Sequence, residues 1–190
     1  MSDFTLALGG RAAESADVSV EKPEVRARAL VNDHFDFVWR LLRRLGVPEG
    51  DVDDAAQQVF MVGTRRLTDI APGSERTFLY GTALRMASTI RRNSKRRERF
   101  IQSVAAEPEP SSRTPHDELE RRRALGFLDT VLCALADDQR EVFVLCEIEE
   151  LSAPQVAAIL AIPIGTVASR LRRAREAFQA ELQRLKAQGA

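Results

Sequence analysis

Hydrophobic residues return along this chain with helical spacing. From about Val25 onward, Val31, Phe35, Val38, Leu42 and Leu45 recur at i, i+4, i+7, i+11 and i+14, which predicts an amphipathic helix ended by Gly46-Val47-Pro48. A second helix is predicted over about 51–67, with Ala56, Val59, Phe60, Gly63 and Leu67 inward and Asp51 and Asp53 near its positive N-terminus. Pro72-Gly73-Ser74 breaks the pattern, and a third helix follows from Glu75 with Leu79, Ala83, Met86 and Ile90 on one side. Four further helical pieces are predicted over 117–136, 139–148, 153–160 and 166–185. No segment alternates as a strand would, so the expected class is all-α. Between the two sets of helices the stretch SVAAEPEPSSRTPH has no period and holds Pro108, Pro110 and Pro115. The expected organisation is a disordered extension over 1–24, a small helical domain over 25–99, a flexible linker over 100–116 and a second helical domain over 117–187.

Composition narrows the function classes. The 190 residues are 44% hydrophobic and 29% charged, enough apolar content for a core. Lys and Arg number 28 and so do Asp and Glu, so the placement of charge has to point to a partner, not its total. No apolar run approaches the length of a membrane span, and the N-terminal stretch lacks a basic region before its short apolar segment. A cytoplasmic protein without membrane insertion is expected. Cys133 and Cys146, with His34 and His116, show neither a disulfide framework nor metal-ligand spacing, so no metal or cofactor is expected. The chain shows no Ser/His/Asp set, phosphate-cradling glycine loop or paired-carboxylate signature, and so no catalytic residue is assigned.

Candidate binding chemistry lies on three helices. In LSAPQVAAILAIPIGTVASRLRRAREAF, residues 151–178, Ser152 can cap a short helix that tolerates Pro154 in its first turn. Ile162-Pro163-Ile164-Gly165 then turns the chain into a second helix, which is a helix-turn-helix. On that second helix Val167, Leu171, Ala174 and Phe178 share the inner face, Ser169, Arg172, Arg173 and Glu176 the outer, and Arg170 and Arg175 the flanks. On the helix over 51–67, Asp54, Gln58, Met61 and Arg65 form a stripe opposite the core face, a charged edge with an adaptable apolar centre that suits a protein partner. The third helix carries Gly81, Arg85, Ser88, Arg92 and Lys95 opposite its core stripe, and from Arg85 to Arg99 seven basic residues face one acid. That is an electrostatic track for a phosphate backbone. Phe78 and Tyr80 are the nearby aromatics.

The run LADDQREVFVLCEIEELSAPQVAAILAIPIGTVASRLRRAREAF closely resembles the fourth conserved region of bacterial extracytoplasmic-function sigma factors, the promoter-specificity subunits of RNA polymerase. VDDAAQQVFMVGTRRL and RTFLYGTALRMASTIRRNSKRR resemble the second conserved region of the same family, in the same order. The resemblance implies that Asp54, Gln57, Gln58, Met61 and Arg65 meet the clamp helices of the polymerase largest subunit, with Gln58 standing where the family usually has Glu. It implies that Arg85, Ser88, Arg92 and Lys95 hold the unwound strand of the downstream promoter element. Thr166, Ser169, Arg170, Arg172, Arg173 and Arg175 would contact the upstream element, although Ala168 replaces a basic residue common in the family. The implied partners are core polymerase, including its flap for the C-terminal domain, promoter DNA, and optionally an anti-sigma factor. The acids Asp137, Asp138, Glu141, Glu147, Glu149 and Glu150, against Arg140, would offer polymerase a complementary surface. Two rival readings stay open at this point: a stand-alone helix-turn-helix regulator of duplex DNA, and a helical adaptor that holds another protein.

Overall fold

A computed structural model of the chain describes residues 23–103 and 117–188, with side chains described over 24–97 and 126–188. Seven α-helices form among the described residues: α1 (Pro23–Arg44), α2 (Val52–Arg65), α3 (Glu75–Ser103), α4 (Asp117–Ala134), α5 (Asp137–Phe143), α6 (Ala153–Leu160) and α7 (Ile164–Gln188). No strand forms among these residues. The expected extension and most of the expected linker lie outside them. α3 runs on to Ser103, into the stretch assigned to the linker, because Phe100, Ile101 and Gln102 are compatible with a helix and no proline intervenes before Pro108.

α1, α2 and α3 pack on one another through Leu30, Phe37, Val38, Leu41, Leu42, Leu45, Val59, Phe60, Leu79 and Ala83, all buried. The α1 stripe keeps the expected Val38, Leu42 and Leu45, all buried, but Leu30, Phe37 and Leu41 are inside too, while Phe35 is 41% exposed and stacks on Phe60 with ring centres 6.2 Å apart. The helix meets α2 and α3 along two adjacent rows, so the inward stripe is wider than the i, i+4, i+7 reading. On α3, Tyr80, Leu84 and Ala87 join the buried face, and Met86 and Ile90 are only half-buried. α4 to α7 pack around Leu132, Val142, Leu145, Val156, Val167 and Ala174, with Phe143 stacked on Phe178 at 4.7 Å.

The two helical sets share one continuous apolar cluster, with α1 against α4 and α3 against α6. Helix ends shape that contact. At the end of α1, Gly46 adopts φ +83, its N–H donates to the Arg43 carbonyl at 2.9 Å, and Val47 N–H donates to the Leu42 carbonyl at 3.1 Å. This left-handed cap satisfies Leu42 and Arg43 and leaves the Leu45 carbonyl to other donors. After α5 the backbone widens into a π turn over Val144–Ile148, and Glu150 closes it with φ 56. The turn carries Glu149 across to the first helical set, where it accepts from Arg44 Nη1 at 2.9 Å, Arg76 Nη2 at 3.1 Å and Tyr80 Oη at 3.0 Å. No single helix among the described residues is long and apolar enough to cross a membrane.

Candidate nucleic-acid interface

α6 and α7 meet at a bend of 104° across a three-residue break, within the range of helix-turn-helix pairs. Ser152 and Gln155 form a capping box at the start of α6, with Ser152 N–H donating to Gln155 Oε1 at 2.9 Å and Pro154 in the first turn. The chain reverses through Ala161, at φ 53, and not through Gly165, which lies in the first turn of α7 with open space around it. Ala161 can close the turn because Ile162 N–H bonds to the Ala157 carbonyl at 3.1 Å, a left-handed cap built on a residue that is not glycine.

The inner edge of α7 docks through Val167 and Ala174, both buried, with Leu171 and Phe178 half-buried. Its outer cations differ in what holds them. Arg175 pairs with Glu147 at 2.6 Å, Arg170 with Asp138 at 3.2 Å and Arg172 with Glu176 at 2.6 Å. Arg173 is exposed and has no ion-pair partner among the described residues. Ser169 is half-buried and donates its hydroxyl to the carbonyl of the half-buried Thr166 at 3.0 Å, so both stand behind the arginine front.

On α2 the expected stripe is present as a surface: Asp54, Gln57, Gln58, Met61 and Arg65 are all exposed, Met61 by 44%. On α3, Arg85 and Arg92 are exposed and Ser88 is half-buried, its carbonyl accepting from Arg92 Nε at 3.2 Å. Lys95 is exposed but tied, its Nζ 2.8 Å from Asp137 Oδ2. The basic run is therefore not a uniform track. Arg91, one of its seven cations, is buried and bonds to the Leu45 carbonyl at 2.6 Å and to Glu141 at 2.6 Å. Between α2 and α3 lies a groove lined by Gln58, Val62, Arg66, Phe78, Thr82 and Arg85, with the Arg66 guanidinium 5.9 Å from the Phe78 ring centre. Phe78 is half-buried, so it packs and still presents part of its ring to this groove. Arg66 was not legible as part of a site, because only the turn after α2 brings it over the aromatic ring.

The acids assigned to a surface for polymerase are largely engaged inside the chain. Glu149 is 5% exposed. Arg140, beside them, is buried and closes the end of α4, donating to the carbonyls of Leu132 at 2.7 Å, Cys133 at 2.8 Å and Leu135 at 3.1 Å. Burial pulls its guanidinium below its ordinary value, and the neighbouring Arg91 charge works in the same direction. Asp137 is partly buried, which opposes ionisation, yet the Lys95 ammonium and the charges of Arg91 and Arg140 hold its carboxyl below the usual range.

Residues 128–178 match the family described as sigma-70, region 4. Over 150 residues the chain is 32% identical to the ECF RNA polymerase sigma factor SigC of Mycobacterium tuberculosis, covering 76% of each sequence. Over 153 residues it is 31% identical to the ECF RNA polymerase sigma factor SigE of Mycolicibacterium smegmatis, covering 77% of this chain and 58% of that longer relative. Among solved structures, CnrH in complex with the cytosolic domain of CnrY superposes with a TM-score of 0.60 at 26% identity, covering 85% of this chain and 94% of that one.

Proposed function

The chain belongs to the extracytoplasmic-function RNA polymerase sigma factors, and from that membership we propose that it directs core polymerase to promoters and helps to open them. In this reading the helices of residues 25–99 dock on the clamp helices of the largest subunit and take the downstream element. The helix-turn-helix unit of residues 117–187 docks on the flap and reads the upstream element. The core enzyme supplies all the chemistry, the protein itself is not an enzyme, and it works in the cytoplasm beside polymerase. An anti-sigma factor is a further partner on this reading, since the similar CnrH is held in complex with another protein, the cytosolic domain of CnrY.

The observation that carries the proposal is the side-by-side placement of two unlike surfaces on α2 and α3. Asp54, Gln57, Gln58, Met61 and Arg65 form an exposed mixed stripe with an apolar centre, suited to a helical protein partner. Arg85, Ser88, Arg92 and Lys95 run along the neighbouring helix for the unwound strand, and the Arg66–Phe78 groove is suited to an unstacked base. Thr166, Ser169, Arg170, Arg172, Arg173 and Arg175 on α7 address duplex DNA. A stand-alone regulator would leave the α2 stripe without a role.

Run-off transcription with core polymerase and promoter fragments tests this. Wild type is expected to co-elute with core and start transcripts at defined sites. The double variant Asp54→Arg, Met61→Asp is expected to keep its helicity and lose core binding, because a reversed charge and a desolvated acid both fall on the exposed stripe. Unchanged affinity for core in that variant removes the stripe from the interface.

A further inference from the structure

Two cations of α3 are held by carboxylates from the other helical set. Arg91 and Lys95 stand at i and i+4, on one face of the helix. Glu141 Oε1 lies 2.6 Å from Arg91 Nη2, and Asp137 Oδ2 lies 2.8 Å from Lys95 Nζ. The two acids are themselves at i and i+4, on α5. Two anionic groups, spaced along a helix, thus face two cations spaced along another, the arrangement that successive phosphates would otherwise occupy. The Arg91 side chain is 6% exposed, and its Nε–H has no hydrogen-bond acceptor, although Asp137 Oδ1 lies 3.4 Å away. The carboxylates therefore use this guanidinium incompletely; a phosphodiester could take its fork in a bidentate fashion through its two non-bridging oxygens.

We propose that Arg91 and Lys95 are a phosphate-binding pair for single-stranded DNA, and that in the docked form of the chain α5 fills it with Glu141 and Asp137. The proposal rests on the reading of α3 as a strand-binding track and adds to it a cation that is buried until the helical sets part. Three further contacts hold them together: Arg140 donates to the Leu45 carbonyl at 3.2 Å, Glu149 gathers Arg44, Arg76 and Tyr80, and Arg43 pairs with Asp129 at 3.0 Å. The α2 stripe is exposed in the docked form. Docking on core through that stripe is thus compatible with the closed form, and strand capture competes with α5. The acidic helix keeps the free protein from binding single strands without regard to sequence.

The test uses the full chain and an oligothymidine strand, with affinity measured as a function of salt. The double variant Asp137→Asn, Glu141→Gln keeps the shape of both side chains and removes both charges. It is expected to bind more tightly than wild type, with the slope of log K against log salt steeper by about 1.4, or 0.7 for each added phosphate contact. Glu149→Gln touches neither cation and opens the far side of the contact; it is expected to expand the chain in small-angle scattering and to gain strand affinity too. Adding Arg91→Gln to the double variant is expected to take back about 0.7 of the slope. Strand affinity and slope equal to wild type in both the double variant and Glu149→Gln overturn the proposal, and so does a gain that survives Arg91→Gln together with Lys95→Gln. Failure of the track itself reads differently: Arg85→Ala with Arg92→Ala in the opened double variant would then leave strand binding intact.

Discussion

Tyr80 reports on the contact between the helical sets. It is the only tyrosine of the chain, buried on α3, with its hydroxyl donating to Glu149 and accepting from Arg76 Nε at 3.1 Å. Burial, reinforced by the Glu149 carboxylate and opposed by Arg76, pushes its phenol from 10.0 up to about 12. A raised value means that the neutral phenol favours the docked fold: the stabilisation is fully present below pH 10.0 and is lost as pH rises through about 12. Ultraviolet titration of the phenolate is expected to give a midpoint near 12 in wild type and a lower one in Glu149→Gln. A wild-type midpoint at 10.0 would mean a solvated ring and helical sets apart. On α7, the free Arg173 and the tied Arg175 should separate in a selection of randomised upstream elements. Arg173→Ala is expected to relax preference at one or two positions, since an arginine on a guanine edge is worth about 1–3 kcal/mol of discrimination. Arg175→Ala is expected to lower affinity for all sequences alike, and identical sequence preferences for wild type and Arg173→Ala would turn this face away from the base edges.

At the scale of elements, three helical segments close on left-handed residues, and only one of these three is a glycine; the other left-handed glycine, Gly73, lies in the turn before α3. At Gly46 the need is double: φ is +83, and a Cβ would overlap Arg140 Nη1 where it reaches for the Leu45 carbonyl. Gly46→Ala is expected to cost about 1–3 kcal/mol, read from urea unfolding. At Ala161 the strain is already present, and Ala161→Gly is expected to raise stability by roughly 0.5–1 kcal/mol, the left-handed cost less the extra chain entropy of glycine. A stabilised Gly46→Ala variant, or an Ala161→Gly variant that loses stability, would show that these caps do not hold the helix ends as described. The third, Glu150, ends the π turn whose extra width sets Glu149 against the first helical set.

For the molecule as a whole, the contact between the helical sets is polar at its rim and therefore sensitive to acid. The carboxyl of Asp137 is lowered from 3.8, so the stabilisation that it lends the docked form is present above 3.8 and is lost as pH falls through its still lower folded value. Small-angle scattering at constant helicity is expected to show the wild-type chain expanding below about pH 4 and Asp137→Asn already expanded at neutral pH. Equal dimensions for the two proteins at pH 7 would deny Asp137 that role. Partly buried ion pairs of this kind specify a geometry more than they add stability, because desolvation offsets much of their attraction. A contact that has to form and release gains from that balance.

The sequence by itself determined the helices, their order and the surfaces that face away from every core. Periodicity and turn residues are local properties, so α6 was legible over 153–160 as it stands, and the exposed stripe from Asp54 to Arg65 followed from its opposition to Ala56, Val59 and Phe60. Exposure can be read in this way when the inner face is unambiguous. Only the tertiary structure decided which charges remain available. Arg91 and Arg92 are adjacent and alike in sequence, yet one is buried against Leu45 and Glu141 and the other faces solvent. Lys95, read as a strand contact, meets Asp137 from a helix 42 residues away. Periodicity places a residue on a face of its own helix but says nothing of what another helix brings to that face, and for a charged side chain the incoming partner decides whether it is buried, paired or free.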